Sequence, residues 1–176
     1  MQRIDLNDIL QRTVSAANGD LVTRRTGQRV RAAIELELGA EHDGHVAGLD
    51  FGTVRCLDLS CADEIVGRLL REHGEARFVL LNVTAAQRDA IEFVLERHRL
   101  AVVVQDAGGA LDVVGAVPEP ARDVFGALVA GGALAPEEVA RRLGLSSEVV
   151  RAALDALRER HLVQDTAGAY CAPAVA

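Results

Sequence analysis

Phe78-Val79-Leu80-Leu81-Asn82-Val83 is apolar at every position but Asn82, with no alternation of polar and apolar side chains. A strand with one wet face alternates, whereas a run of this kind belongs to a strand buried on both faces. Such a strand obliges the chain to supply apolar cover on two sides. The cover must be aliphatic. Aromatics are only 3% of the 176 residues and Trp is absent, while hydrophobic residues reach 49% and charged ones 26%. This balance is globular and excludes wholesale disorder.

Strand and helix periods alternate around that run. Leu21-Val22-Thr23 reads as a short strand. A helix over Thr26–Leu38 follows, with Val30, Ile34 and Leu38 on one face. Val46–Phe51 is the next strand. A helix from Ser60 to Glu72 then repeats Ala62, Ile65, Val66, Leu69 and Leu70 at helical spacing. Ser60 is placed to cap that helix, with Asp63 reaching back in the manner of a capping box. Thr84 and Gln87 form a capping box for a third helix, in which Ile91, Val94 and Leu95 face inward. Leu100–Val104 and Leu111–Val117 are two more strands, joined by a hairpin turn at Asp106-Ala107-Gly108-Gly109. The expectation is an α/β unit, a mixed sheet of about five strands with helices against it.

Val117-Pro118-Glu119-Pro120 interrupts the pattern and divides the chain into 1–117 and 118–176. The second segment reads as a helix over Ala121–Ala130 with Val124, Phe125 and Leu128 inward. A second helix starts at Pro136, with Glu137 and Glu138 at its positive end and Gly144 at its stop. Ser146 caps a third helix that buries Val150, Ala153, Leu154 and Leu157. Leu162-Val163-Gln164 and Ala169-Tyr170-Cys171 flank a turn at Asp165–Gly168. This order, carried by Leu134, Val139, Ala140, Leu143, Gly144, Leu145, Val150, Leu154, Leu157, Leu162 and Tyr170, resembles the winged helix-turn-helix family.

That resemblance implies contact with double-stranded DNA through the third helix. Its outward positions are Ser147, Glu148, Arg151, Ala152, Asp155 and Arg158. Arg141, Arg142, Ser147, Arg151 and Arg158 are the candidate DNA contacts, and base readout falls to Arg151 because no Asn or Gln stands ready to pair with adenine. Glu148 and Asp155 oppose phosphate binding. Neither segment is basic, with 13 Arg against 18 acids in 1–117 and 6 Arg against 8 acids in 118–176. A net charge of −7 excludes general coating of nucleic acid. DNA readers of this kind commonly pair, so a homodimer is expected.

Within 1–117, the stretch Leu49-Asp50-Phe51-Gly52-Thr53-Val54-Arg55-Cys56-Leu57-Asp58-Leu59-Ser60-Cys61-Ala62-Asp63-Glu64-Ile65 resembles the STAS domain of anti-anti-sigma factors. It is closer still to the STAS-like family of unknown function, through the helix start Ser60-Cys61-Ala62-Asp63-Glu64. Leu21–Gly27 also suits that family's strand-to-helix turn. The resemblance implies docking of a protein partner, a histidine-kinase-like ATPase, around Asp58, Ser60, Asp63 and Glu64. In anti-anti-sigma factors the residue directly after the motif's aspartate is a phosphorylated serine; here that position is Leu59, and Ser60 stands one further on. Arg24, Arg25, Arg29 and Arg31 gather near the start of the first helix, where cations oppose the helix dipole. They suit either an anionic partner or a solvated face paired with Glu35.

Other chemistry is sparse. No run of about 18 apolar residues could span a membrane, and the polar N-terminal residues argue against a secretory leader. Cys56, Cys61 and Cys171 fit reduced thiols in a cytoplasmic protein. Glu41-His42-Asp43-Gly44-His45 brings two histidines and two acids together, short of a complete zinc ligand set. No nucleophile elbow, phosphate-binding Gly loop or nucleotide fingerprint occurs, and Asp63 and Glu64, adjacent on a helix, are not expected to share a substrate point. The sequence therefore predicts a non-enzymatic regulatory protein without a cofactor: a transcription regulator that docks a protein and binds DNA, or an adaptor without DNA binding.

Overall fold

The computed structural model describes residues 1–14, 19–39 and 46–175. In chain order the elements are β1 (Gln2–Asp5), α1 (Leu6–Thr13), β2 (Asp20–Leu21), α2 (Arg24–Leu38), β3 (Val46–Asp50), β4 (Cys56–Leu57) and α3 (59–72). They continue with β5 (Arg77–Val83), α4 (Ala85–His98), β6 (Ala101–Asp106), β7 (Leu111–Gly115), α5 (Glu119–Gly131), α6 (Pro136–Leu143), α7 (Ser147–Glu159), β8 (Gln164–Thr166) and β9 (Ala169–Cys171). The middle of α3, Asp63–Arg68, is π-helical. The result is a mixed α/β fold whose principal sheet has five strands and is mostly parallel, with seven helices among the described residues.

The strand order is β1-β3-β5-β6-β7. The first four strands are parallel, and β7 returns antiparallel to β6. No reversal occurs along this order. Crossovers between parallel strands are right-handed, so successive crossovers stepping in one direction lay their helices on one face. Accordingly Leu10 of α1, Ile34 of α2, Ile65 of α3 and Ile91 of α4 share one buried cluster with Phe78, Leu80, Val102 and Val104 of the sheet.

The opposite face would then be bare. Val79, Leu81, Val103 and Val113 point into it, and α5, α6 and α7 close over them with Val124, Phe125, Leu128, Val139, Leu154 and Leu157. Arg122 of α5 donates to the carbonyls of Val113 (2.7 Å) and Gly115 (2.6 Å), fastening this cover to the edge strand. Two small sheets complete the chain: β2 pairs with β4 in parallel, and β8 with β9 antiparallel. Leu134 bridges to Tyr170 beside the second of these.

Several local expectations change. The first strand and helix, β1 and α1, lie in a segment the sequence pattern leaves unassigned. Asp5 caps α1 by accepting from the Asn7 and Asp8 amides. The strand expected at Leu21–Thr23 shrinks to Asp20–Leu21, because Thr23 turns to φ 71° and caps α2. Ser60 does not cap α3; Asp58 does, accepting the Cys61 amide, and Asp63 reaches sideways to α4 rather than back. The Thr84–Gln87 capping box and the Ser146 cap are present.

Phe125 is 1% exposed and sits in the second core. Phe125→Ala is expected to lower the free energy of unfolding in urea by about 3–5 kcal/mol. A loss below about 1 kcal/mol, the scale of an exposed site, would show that this face is not sealed by it.

Candidate functional site

The starts of α2 and α3 meet at Asp58. One of its carboxylate oxygens accepts the Cys61 amide (2.7 Å) and the Ser60 hydroxyl (2.8 Å), and the other accepts the Thr23 amide (2.7 Å). Burial acts to raise this carboxyl's pKa, but the bonds from Thr23, Cys61 and Ser60 outweigh it and hold the group below its ordinary value. The Cys61 thiol donates to the Thr23 carbonyl at 3.0 Å, and its pKa is pushed up to about 12 by burial first and the Asp58 charge second. Such a thiol is an inert packing residue. Cys56 is exposed.

One turn on, Glu64 is fully buried. Arg24 donates to Glu64 at 2.6 Å and to Asp63 at 2.9 Å from the same nitrogen. Adjacent carboxylates on an α-helix diverge by about 100°; here they lie in the π-helical stretch and converge on one guanidinium, against expectation. Arg68 and Arg31 approach Glu64 at 3.5 and 3.7 Å. Arg31 also pairs with Glu35 and Glu72. Asp63 accepts from His98 of α4 at 2.7 Å. Burial works to raise the Asp63 pKa, and the bonds from His98 and Arg24 override it to leave a net lowering. Gly27 and Gly67 allow these helices to close up: a Cβ on Gly27 would lie 2.9 Å from the Glu64 Cβ, and one on Gly67 would lie 2.8 Å from a Val94 methyl.

Between α3 and α4 this packing leaves a recess of about 290 Å³, lined by Arg24, Leu59, Ser60, Asp63, Phe93, Arg97 and His98. Leu59 is 48% exposed and Phe93 56%. The structure thus brings together Arg24, Ser60, Asp63 and, behind them, Asp58 and Glu64. Arg25 and Arg29 are exposed on α2 and make no ion pair among the described residues. Phe93, Arg97 and His98 were not singled out by the sequence, and Leu59 entered there only as the residue standing at the phosphoserine position. A usable signal existed for Phe93, one of only four Phe, which falls off the Ile91–Val94–Leu95 stripe.

A second polar group sits at the carboxyl ends of the parallel strands. Asp50, buried, accepts from Asn82 (2.8 Å) and the Gly52 amide (2.9 Å) and pairs with Arg3. Asn82 holds φ at 56° where β5 shifts register, which aims its amide at Asp50. Burial would raise the Asp50 pKa, yet the bonds from Asn82, Gly52 and Arg3 prevail and lower it.

On α6 and α7, every outward position read from the sequence is exposed. Each candidate arginine has a carboxylate partner: Arg141 and Arg142 pair with Glu138, Arg151 with Glu137 at 3.1 Å, and Arg158 with Asp155 at 3.1 Å. The bond from Arg142 heads the causes that lower the Glu138 pKa. Ser147 stands exposed at the start of α7.

The loop Glu41–His45 lies outside the described residues. Among the described residues no group of three His, Cys, Asp or Glu could hold a metal ion, and no helix is long and apolar enough to cross a membrane. No family model, characterised protein or solved structure matches the chain.

The lowered pKa values of Asp50, Asp58 and Asp63 fix a sign for the acid response. A carboxylate depressed in the folded state adds stability that is complete above its unfolded pKa, near 4, and lost as pH falls through the folded value. Urea unfolding is therefore expected to show constant stability from neutral pH to about 5, then a steady loss toward pH 3, with a shallower loss in Asp58→Asn. An Asp58→Asn chain with the same acid slope as the parent would contradict the Asp58 assignment.

Proposed function

We propose that the chain is a regulatory docking protein that works by contact rather than by catalysis, with the recess between α3 and α4 as its partner-binding face. The observation that carries this reading is the exposure of Leu59 and Phe93 beside Arg24, Ser60, Asp63 and His98 at the corner where α2, α3 and α4 meet. Exposed apolar side chains rimmed by charge are a common form of protein interaction site. The STAS-like resemblance of 1–117 supports the same face, because its motif residues Asp58, Ser60, Asp63 and Glu64 lie in or directly behind the recess. A histidine-kinase-like ATPase is the partner class that the resemblance favours.

Residues 118–176 have the element order of a winged helix-turn-helix, and Arg151 and Ser147 are exposed on α7, which favours DNA binding as a second reading. The charges weigh against it. Arg141, Arg142, Arg151 and Arg158 are matched by Glu137, Glu138, Glu148 and Asp155, so the surface carries no excess cation. DNA affinity comes largely from neutralising phosphates, and steering needs a net positive field. Exposed pairs are individually weak, about 0–1 kcal/mol, so it is the local balance and not the strength of each pair that decides. On this reading α5–α7 serve first as the second cover of the sheet.

A photo-crosslinking benzoylphenylalanine at position 93, expressed in the source cells, is expected to give a discrete protein adduct. The same group at position 36, where Leu36 is 83% exposed on α2, is expected to give none. No adduct at 93, or equal adducts at both, would contradict the docking reading. A duplex retarded at low salt and released by Arg151→Ala would establish the second reading instead.

A further inference from the structure

The outward face of α4 is divided by charge. On a helical wheel Phe93 is central, with Arg97 one turn on and rotated toward α3, where Val94 meets Gly67 and His98 meets Asp63. Asp89, Glu92 and Glu96 fall on the other side of Phe93. None of these four charged side chains makes an ion pair or hydrogen bond among the described residues. Three charged neighbours are already committed: Arg24 to Asp63 and Glu64, His98 to Asp63, and Arg88 to Asp112. Among the described residues, the uncompensated charge that α4 itself sets around the exposed Phe93 is therefore one cation on the recess side and three carboxylates on the far side.

We propose that this face takes a protein segment of complementary polarity. An apolar side chain of the partner enters the recess against Leu59 and Phe93, an acidic residue meets Arg97, and basic residues lie over Asp89, Glu92 and Glu96. The inference rests on the docking reading and adds the partner's chemistry to it. Apolar burial would supply most of the affinity, while the split charge would set orientation and reject segments of the wrong order. A uniformly basic or uniformly acidic ligand leaves one side facing like charge, which costs affinity.

The test uses the full chain and three fluorescein-labelled peptides: Glu-Glu-Leu-Phe-Lys-Lys, its isomer Lys-Glu-Leu-Phe-Glu-Lys with interspersed charge, and an uncharged Ser-Ser-Leu-Phe-Ser-Ser. Binding is followed by amide shifts in α3 and α4. The segregated peptide is expected to bind about tenfold more tightly than the other two, an advantage lost in Arg97→Glu and in Glu92→Lys/Glu96→Lys. All three positions are exposed or half-buried and unpaired, so the fold is not at risk, and unchanged dispersion elsewhere in the spectrum checks this. Equal binding of all three peptides in a Phe93-dependent manner would overturn the charge pattern and leave the docking reading standing. No binding of any peptide, with the position-93 adduct intact, would also overturn it. Loss of both peptide binding and the adduct would remove the docking reading as well.

Discussion

The whole arrangement depends on a sheet whose strand order never reverses. Three crossovers stepping in one direction go with α1 to α4 sharing a single buried cluster on one face, as the general right-handed rule requires, and the central strands are apolar on both. Val79, Leu81, Val103 and Val113 would otherwise meet water. Burial is worth about 1.5–3 kcal/mol for each large aliphatic side chain, so a bare face of this size is untenable for a domain of ordinary stability. The last three helices answer that demand, through Phe125, Leu128 and Leu154 and through the two hydrogen bonds from Arg122 to the edge of β7. They are therefore part of the sheet's packing, whatever else their outer surface contacts.

This division of labour shapes the candidate site. The first face is held at its α2–α3–α4 corner by polar groups that point at each other. Asp58 joins two helix starts, and Glu64 is surrounded by Arg24, Arg31 and Arg68. Buried charges that lose a partner cost about 3–5 kcal/mol, so this network holds the corner in one geometry. The π-helical stretch turns Asp63 and Glu64 to the same guanidinium, and Gly27 and Gly67 let the helices approach. Along the recess and the outward face of α4, Leu59, Phe93, Arg97 and the acids Asp89, Glu92 and Glu96 are left without internal work among the described residues. A docking surface on a stiff scaffold needs that combination.

The central strand, the helix periods and the caps at Thr84 and Ser146 were legible because each rests on local spacing. So was the partition of inward and outward positions on α7. The edge strand β1 was not, since Gln2–Asp5 holds a single apolar residue, Ile4, and its partner, β3, lies more than forty residues away. The cap at Asp58 was misread for a similar reason. Ser60 is an equally good capping residue by type, and only the Thr23 amide, 35 residues distant, shows why Asp58 holds the position. Pairing of Asp63 with His98 and of Arg151 with Glu137 joins separate helices, which no single-helix periodicity reveals. Phe93 was visible as an aromatic off its stripe; its meaning came only with Leu59 and Arg97 beside it.

Native-state hydrogen exchange on the full chain tests most directly whether the sheet depends on its second cover. The amides of Val79 and Val103 in the sheet and of Leu154 and Leu157 in α7 are predicted to exchange only through the same global opening, with one free energy and one denaturant dependence. Exchange of the α7 amides through a cheaper opening, with Val79 and Val103 still protected to the global limit, would contradict it.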